Sequence, residues 1–174
     1  GPCQGYRNHI KAIVKRWGDP NGDGNPEDGI DGWRLDVAHQ VDMDFWKDFS
    51  KWVRDVNPDA YLTGEVWWKN FRDNIMYDAS PYLYPGPFDA VMNYRFTDAT
   101  VKAFINEEDQ IIPSQFDNLL AFMRNNYPQK DQYYLQNLMG SHDIERFASM
   151  VANPDRWIDH ASNLQYDKDF KVRK

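Results

Sequence analysis

Apolar positions along the chain switch repeatedly between a helical and a strand period. Ile10, Ile13, Val14 and Trp17 recur three or four residues apart, which predicts a first helix. The same period returns over residues 45–53, 100–105 and 116–123, which predicts three more helices. Short apolar runs between the helices predict four strands, over residues 32–37, 60–66, 88–94 and 133–139.

Turn and capping residues mark where several of these elements end. Residues 19–29 and 77–87 are rich in Pro and Gly and lack a hydrophobic period, so both are predicted loops. The second helix is expected to stop before Pro58, and the fourth to open at Ser114 with Asp117 as a capping box. Residues 153–174 are polar and aperiodic, which predicts loop with a short helix at most.

Three carboxylates, Asp36, Glu65 and Asp143, stand at the ends of apolar runs. Because helices separate the strands, the strands are predicted to be parallel and to end along one edge of a sheet. Like charges on one edge repel each other, so a cluster of acids there indicates a function that requires several carboxyl groups. Glycoside hydrolysis is such a function, since it needs a carboxylate at an oxocarbenium-like centre and a carboxylic acid to protonate the leaving oxygen.

Composition narrows the class of protein. The 174 residues suffice for one domain with a core, and the hydrophobic share of 41% is ordinary for a soluble globular protein. The net charge of −7 argues against nucleic acid or an anionic membrane as the main partner. Seven Trp contribute to an aromatic share of 16%, and aromatic rings beside carboxylates suit stacking on sugars.

Acids at several strand ends favour a barrel whose site lies at the carboxyl face of its strands. No phosphate-binding Gly-x-Gly-x-x-Gly follows a predicted strand, which argues against a dinucleotide site. A complete (β/α)8 barrel takes roughly 250 residues. The predicted fold is therefore α/β, and the chain is expected to be part of a TIM barrel.

Four motifs resemble, in order, the alpha-amylase family of glycoside hydrolases, and most closely its neopullulanase and cyclomaltodextrinase branch. Residues 31–38 (Asp-Gly-Trp-Arg-Leu-Asp-Val-Ala) resemble the fourth-strand motif, and residues 64–67 (Gly-Glu-Val-Trp) the fifth-strand motif. Residues 88–96 resemble the sixth strand of that branch, and residues 140–143 (Gly-Ser-His-Asp) the seventh-strand motif. The resemblance implies that residues 1–174 are a partial catalytic domain, strands four to seven of a TIM (β/α)8 barrel with their helices, incomplete at both ends.

The resemblance also implies roles for the three acids. Asp36 would be the nucleophile that forms a covalent glycosyl-enzyme. Glu65 would act first as general acid and then as general base. Asp143 would bind sugar hydroxyls and hold the ring distorted.

Four further side chains are predicted around these acids. Arg34 shares a strand face with Asp36 and would hold it by an ion pair, and the resemblance implies that His142 hydrogen-bonds the sugar. Trp67 shares the face of Glu65 and is expected at the cleft. His39 is either a contact at the rim of the site or a structural hydrogen-bond partner.

The sequence also departs from the family pattern. Residues 39–40 read His-Gln, where many alpha-amylases have Lys-His and the branch usually has Asn-Glu, so acceptor preference stays open. The family's third-strand motif would lie before residue 1 and its eighth strand after residue 174. The isolated segment is therefore expected to be inactive.

The loop over residues 19–24 has two interpretations. It places Asp19, Asn21 and Asp23 at alternate positions, like the first half of a calcium loop. The acid expected at position 30 is missing, and Asp28 or Glu27 would have to replace it. The alternative is an Asx/Gly turn that links a helix to a strand. The chemistry itself requires no cofactor, and Ca²⁺ is predicted only on the first interpretation.

The leading functional hypothesis is a retaining hydrolase of α-1,4-glucosidic bonds in maltooligosaccharides, cyclodextrins, pullulan or starch. One alternative is a transglycosylase on the same scaffold, in which a sugar hydroxyl replaces water. Another is a non-catalytic carbohydrate-binding homologue, a class expected to lack one of the acids. The expected partner is an oligo- or polysaccharide, with no nucleic acid and no membrane. A soluble protein is predicted, periplasmic or secreted if a signal peptide precedes the segment, and the oligomeric state is left open.

Overall fold

The structure is a computed structural model that describes residues 4–70, 73–152 and 154–155. Its helices are α1 (Gln4–Gly18), α2 (Met43–Val56), α3 (Tyr94–Phe104), α4 (Pro113–Asn126) and α5 (Phe147–Ala152). Its strands are β1 (Gly32–Leu35), β2 (Tyr61–Gly64), β3 (Trp68–Asn70), β4 (Ile75–Met76) and β5 (Ala90–Val91). Within the described residues no helix is long and apolar enough to cross a bilayer.

The chain falls into two compact units. The first comprises Gly1–Met92 and Pro128–Leu135, and the second comprises Asn93–Tyr127 and Gln136–Lys174. The first holds the parallel sheet with α1 and α2, and the second holds α3, α4 and α5.

The sheet of the first unit is parallel, in the order β1, β2, β5. Its register pairs Gly32 with Tyr61 and Leu35 with Gly64, and then Gly64 with Val91. The prediction of an α/β fold with parallel strands is confirmed for these three elements. Strands β3 and β4 form a separate antiparallel pair.

Each parallel strand is shorter than predicted. The apolar sequence continues beyond the end of the strand, but its backbone there is already in a turn or a helix. After Leu35 the backbone of Val37 turns into the left-handed region, and a 3₁₀ turn follows over Ala38–Gln40. After β5 the side chain of Asn93 accepts a hydrogen bond from the backbone N–H of Phe96, so residue 94 opens α3.

Asp89 fixes the amino end of β5 against its neighbour. One of its oxygens accepts the Leu62 backbone N–H at 2.9 Å, and the other accepts Arg54 of α2 at 2.9 Å. This carboxylate therefore holds the two-residue strand β5 to β2 and to the helix between β1 and β2.

Helix α2 covers the sheet with an aromatic face. The side chain of Asp42 caps its first turn by accepting the Asp44 N–H at 2.8 Å. Trp46, Phe49 and Val53 recur at helical spacing and are buried. Full burial of a side chain of this kind contributes about 1.5–3 kcal/mol.

The predicted fourth strand over residues 133–139 is wrong. The described chain has a 3₁₀ turn at Asp131–Tyr133, and the N–H groups of Tyr134 and Leu135 both donate to the Asp131 carbonyl. Those donors are therefore used within the turn, and only the Gln136 carbonyl makes a strand-like bond, to the Asn93 N–H at 2.9 Å.

The predicted start of the fourth helix is also wrong. Helix α4 begins at Pro113, and the side chain of Gln115 accepts the Ile112 backbone N–H at 3.0 Å. Proline is favoured at the first helical position, where its missing N–H is not needed. The predicted partner Asp117 instead pairs with Arg124. The loop predicted over 153–174 lies outside the described residues except at 154–155.

Gly64 is required by close packing at the end of β2. A Cβ on this residue would lie 2.4 Å from the ring of Phe88 and 3.5 Å from Ala38. Both neighbours are buried, and an aromatic ring has little room to move in a packed core.

We expect Gly64→Ala to lower the free energy of unfolding by about 1–3 kcal/mol, because the added methyl overpacks the core. Urea denaturation measures the change. Gly5→Ala is the matched control, since nothing lies within 4 Å of its Cβ position in α1 and alanine favours a helix. Equal stabilities for the two variants would contradict the packing argument.

Two tyrosines link the stability of the first unit to pH. Burial raises the pKa of Tyr61 above its usual range, and the nearby charge of Asp89 acts in the same direction. The Tyr61 hydroxyl donates to the Tyr134 carbonyl at 2.7 Å. Burial likewise raises the pKa of Tyr82, with a smaller contribution from Tyr77.

Stability should therefore fall as the pH rises above about 10, where an unfolded chain ionises its tyrosines and the folded chain keeps these protons. Below that pH both states hold the protons, so the effect is absent. We expect Tyr61→Phe to flatten the decline measured by urea unfolding between pH 8 and 11. Equal slopes in the two proteins would assign the decline to other groups.

Candidate active site

Asp36 and Glu65 follow directly after two paired strand ends. Leu35 lies opposite Gly64 in the register, and the Glu65 N–H donates to the Leu35 carbonyl at 2.9 Å. The parallel pairing therefore brings these two acids to the same edge of the sheet, as the sequence predicted.

Arg34 connects the two acids. Its Nη1 donates to Oδ1 of Asp36, and its Nη2 donates to Oε1 of Glu65 at 2.5 Å. Its Nε lies 3.3 Å from Sδ of Met92. The predicted pair with Asp36 is present, whereas the contact of the same guanidinium with Glu65 was not predicted.

The two acids differ sharply in exposure. The side chain of Glu65 is 3% exposed, that of Asp36 is 70% exposed, and Arg34 between them is 30% exposed. A buried carboxylate needs hydrogen-bond partners, and Glu65 has two, because its Oε2 accepts the Val37 backbone N–H at 2.9 Å. Asp36 is the acid that solvent can reach.

The turn after β1 wraps around Glu65. The Ala38 N–H donates to the Glu65 carbonyl at 2.9 Å, and the indole N–H of Trp46 holds the Ala38 carbonyl at 2.9 Å. Val37 has φ 43° and ψ 45°, a left-handed conformation that costs a residue with a Cβ about 1–2 kcal/mol. Sequence reasoning missed Val37, because β-branched residues normally signal extended backbone.

His39 and Trp67 both contact Tyr77. The His39 ring stacks on Tyr77 with centroids 4.6 Å apart, and the Tyr77 N–H donates to the Trp67 carbonyl at 2.8 Å. Nδ1 of His39 is buried and has no hydrogen-bond partner among the described residues. Tyr77 was not among the predicted site residues.

Trp67 is more open than Trp68. Trp68 is buried, and its indole N–H donates to Asn74 at 2.6 Å. Residues 65–67 are not a strand, so the alternation used to orient them does not apply. The half-buried Trp67, and not the buried Trp68, is therefore the ring available for a contact with a ligand.

Asp143 and His142 belong to the second unit. Nε2 of His142 lies 3.0 Å from Oδ2 of Asp143, and the Asp143 N–H donates to the Ser141 hydroxyl at 3.1 Å. That hydroxyl is 3.3 Å from the hydroxyl of the buried Tyr94 in α3. Asp143 is therefore held by its own segment and by the first turn of α3.

The loop predicted as a calcium site closes on its own hydrogen bonds. Asp19 accepts the N–H groups of Gly22 at 2.8 Å and Gly24 at 3.0 Å, and both glycines have positive φ. Asn21 accepts the Asp23 N–H at 2.8 Å, and Asp28 accepts the Asn21 N–H at 3.3 Å. Within the described part of the chain, no group of three or more acids, histidines or cysteines is arranged to hold a metal. Calcium binding stays a prediction of the sequence.

Comparison with known proteins gives the family. Residues 5–166 match the family described as "Alpha amylase, catalytic domain". The chain is 44% identical over 121 residues to neopullulanase 2 of Thermoactinomyces vulgaris, covering 70% of this chain and 19% of that protein. It is 38% identical over 141 residues to a cyclomaltodextrinase of a Bacillus species, covering 80% of this chain and 23% of that protein.

Solved structures of two glycoside hydrolases are also similar to this chain. A cyclomaltodextrinase structure superposes with a TM-score of 0.69 at 34% identity, covering 83% of this chain and 22% of that one. A cyclic alpha-maltosyl-(1→6)-maltose hydrolase from Arthrobacter globiformis, in complex with that cyclic sugar, has a TM-score of 0.69 at 26% identity, covering 86% of this chain and 29% of that one.

The chain belongs to the alpha-amylase family as part of its catalytic domain, which confirms the resemblance drawn from the motifs. It spans about a fifth of the length of these curated relatives. The catalytic domain of this family implies a TIM barrel, of which the described chain is an α/β part.

We expect Arg34→Met to lower the free energy of unfolding by about 3 kcal/mol, because it leaves the buried Glu65 without its cation. Adding Glu65→Gln should recover part of the loss, since the amide is neutral. Urea denaturation of both variants measures this, with Lys47→Met at the exposed Asp44 pair as a control expected to change little. If Arg34→Met is no more damaging than Lys47→Met, the ion pair does not support the fold.

Proposed function

We propose that this chain carries the catalytic acids of a retaining hydrolase that cleaves α-1,4-glucosidic bonds in α-glucans. Asp36 is the nucleophile and Glu65 the general acid and base. The observation that carries the proposal is the single guanidinium shared by these acids at adjacent strand ends. The relatives named for cyclomaltodextrin and for pullulan support the substrate class.

Two carboxylates on one guanidinium are close neighbours, as a retaining mechanism requires. Asp36 attacks the anomeric carbon while Glu65 protonates the departing glycosidic oxygen, which leaves a covalent glycosyl-enzyme. Glu65 then removes a proton from water, the water oxygen attacks the same carbon, and Asp36 leaves as a carboxylate. The second step returns to Glu65 the proton that it gave up in the first.

The exposures of the two acids fit this division of labour. The nucleophile must reach the sugar ring, and Asp36 is the open side chain. The group that exchanges a proton must be positioned within hydrogen-bond reach of the leaving oxygen, and contacts with Arg34 and Val37 fix the carboxyl of the buried Glu65.

Arg34 must move, or shift its contacts, during the cycle. Both oxygens of Glu65 accept hydrogen bonds, and an arginine can only donate. Before Glu65 can present a proton from Oε1, Nη2 of Arg34 has to give way. The bond to Asp36 gives the guanidinium a second carboxylate to hold when it does so.

The remaining assignments rest on the family motifs. Asp143 is proposed to bind sugar hydroxyls with His142 beside it, and Trp67 and His39 are proposed to contact the sugar at the rim. Strands β1, β2 and β5 are proposed to be the fourth, fifth and sixth strands of the family pattern, and residues 140–143 its seventh-strand motif. Because the chain spans about a fifth of the length of its curated relatives, activity assays belong on the full-length protein.

We expect Asp36→Asn and Glu65→Gln each to lower kcat on maltoheptaose by several powers of ten in the full-length protein, because each group acts in the transition state. Asp44→Asn, on the exposed face of α2, is the matched control and should retain activity. The first-formed product should be the α-anomer, observed by NMR during the first turnovers.

Near wild-type turnover by Glu65→Gln would overturn the assigned role of Glu65. A β-anomeric first product would overturn the retaining mechanism while leaving the two acids in place.

A further inference from the structure

We propose that the backbone amide of Val37 is a positioning group for Glu65, and that the left-handed conformation of Val37 exists to aim it. This inference rests on the proposed role of Glu65 as acid and base. It adds to that role the identity of the oxygen that carries the transferable proton.

Three hydrogen bonds connect Glu65 to the end of β1 and the turn that follows it. The Glu65 N–H donates to Leu35, the Ala38 N–H donates to the Glu65 carbonyl, and the Val37 N–H donates to Oε2 of the Glu65 side chain, all at 2.9 Å. The first two contacts fix the backbone of Glu65. The third fixes its carboxyl group.

The conformation of Val37 is unusual for its residue type. Besides Val37, the non-glycine residues with positive φ in the described chain are Asn74 and Asp155, whose short polar side chains tolerate this region. A β-branched residue there persists only when its surroundings impose it. The indole of Trp46, which holds the Ala38 carbonyl, and the hydrogen bond from the Gln40 N–H to the Val37 carbonyl at 2.9 Å supply that constraint.

The chemical consequence follows from what an amide can do. A backbone N–H only donates, so Oε2 must stay an acceptor when Glu65 is protonated. A carbonyl oxygen accepts a hydrogen bond better than the hydroxyl oxygen of a carboxylic acid does. The Val37 N–H therefore favours the protonated form that carries its proton on Oε1, the oxygen that Arg34 contacts and the one that can be freed when Arg34 withdraws. Val37 thus selects one of two oxygens, and Arg34 controls access to it.

The experiment removes the Val37 N–H without changing its side chain. Replacing Val37 in the full-length protein by 2-hydroxyisovaleric acid turns its amide into an ester. The same analogue at Val41 is the matched control, because the Val41 N–H donates to the Ala38 carbonyl at 3.3 Å and does not touch Glu65.

Two substrates separate positioning from a general structural effect. Cleavage of maltotriose requires protonation of the leaving sugar. Fluoride is a good leaving group, so cleavage of α-maltosyl fluoride depends little on a general acid. We expect the ester at Val37 to lower kcat/KM for maltotriose by roughly tenfold or more, the loss of a hydrogen bond to an ionisable group. For α-maltosyl fluoride we expect a change of less than about twofold, and the Val41 ester should keep the wild-type ratio between the two substrates.

A second variant and a second readout guard against misfolding of the ester protein. Val37→Gly keeps the N–H and adopts positive φ without strain, so it should keep the wild-type ratio between the substrates. In protein labelled with ¹⁵N-valine, Glu65→Ala should move the amide proton of Val37 upfield and leave that of Val41 in place.

Equal losses on both substrates, or no loss on either, would overturn the positioning role of Val37. So would an amide proton of Val37 that ignores Glu65→Ala. These results are distinct from a failure of the proposed function, which would appear as full maltotriose hydrolysis by Glu65→Gln.

Discussion

One guanidinium held between two carboxylates is the interaction on which the rest of the site depends. Parallel strands place Asp36 and Glu65 at the same edge, where two like charges repel each other. Arg34 offsets that repulsion, and it also supplies the partner without which Glu65 could not be buried. The difference in exposure between the acids is possible only because the cation lies between them.

The sequence predicted the parts of this arrangement that follow from period and register. Alternation over residues 32–37 placed Arg34 and Asp36 together, and the intervening helix implied a parallel partner that ends at Glu65. The structure brings these three side chains together. Helices α1 to α4 were recognised from their apolar periods, although α3 begins at Tyr94 and not near residue 100. The short elements α5, β3 and β4 were not predicted, because two to six residues carry too little periodicity.

Other features could not be predicted, because they depend on contacts between residues distant in sequence. The run over 133–139 has the composition of a strand, but the Asp131 carbonyl takes the N–H groups that a sheet would need, and the Asp131 side chain accepts the Tyr84 N–H at 2.7 Å. The same limit applies to Val37. No local propensity places a β-branched residue at positive φ, and the cause is the set of hydrogen bonds that close around Glu65.

The indole of Trp46 has a consequence for how this protein can evolve. Its ring lies in the aromatic face of α2, in contact with Phe45, Phe49 and Phe88, while its N–H holds the carbonyl that anchors the turn beside Glu65. Core packing and the geometry of the candidate site therefore share one side chain. Substitutions that change the packing of this aromatic core during adaptation to a new temperature would also move the Trp46 N–H. They would therefore change the position of the turn beside Glu65.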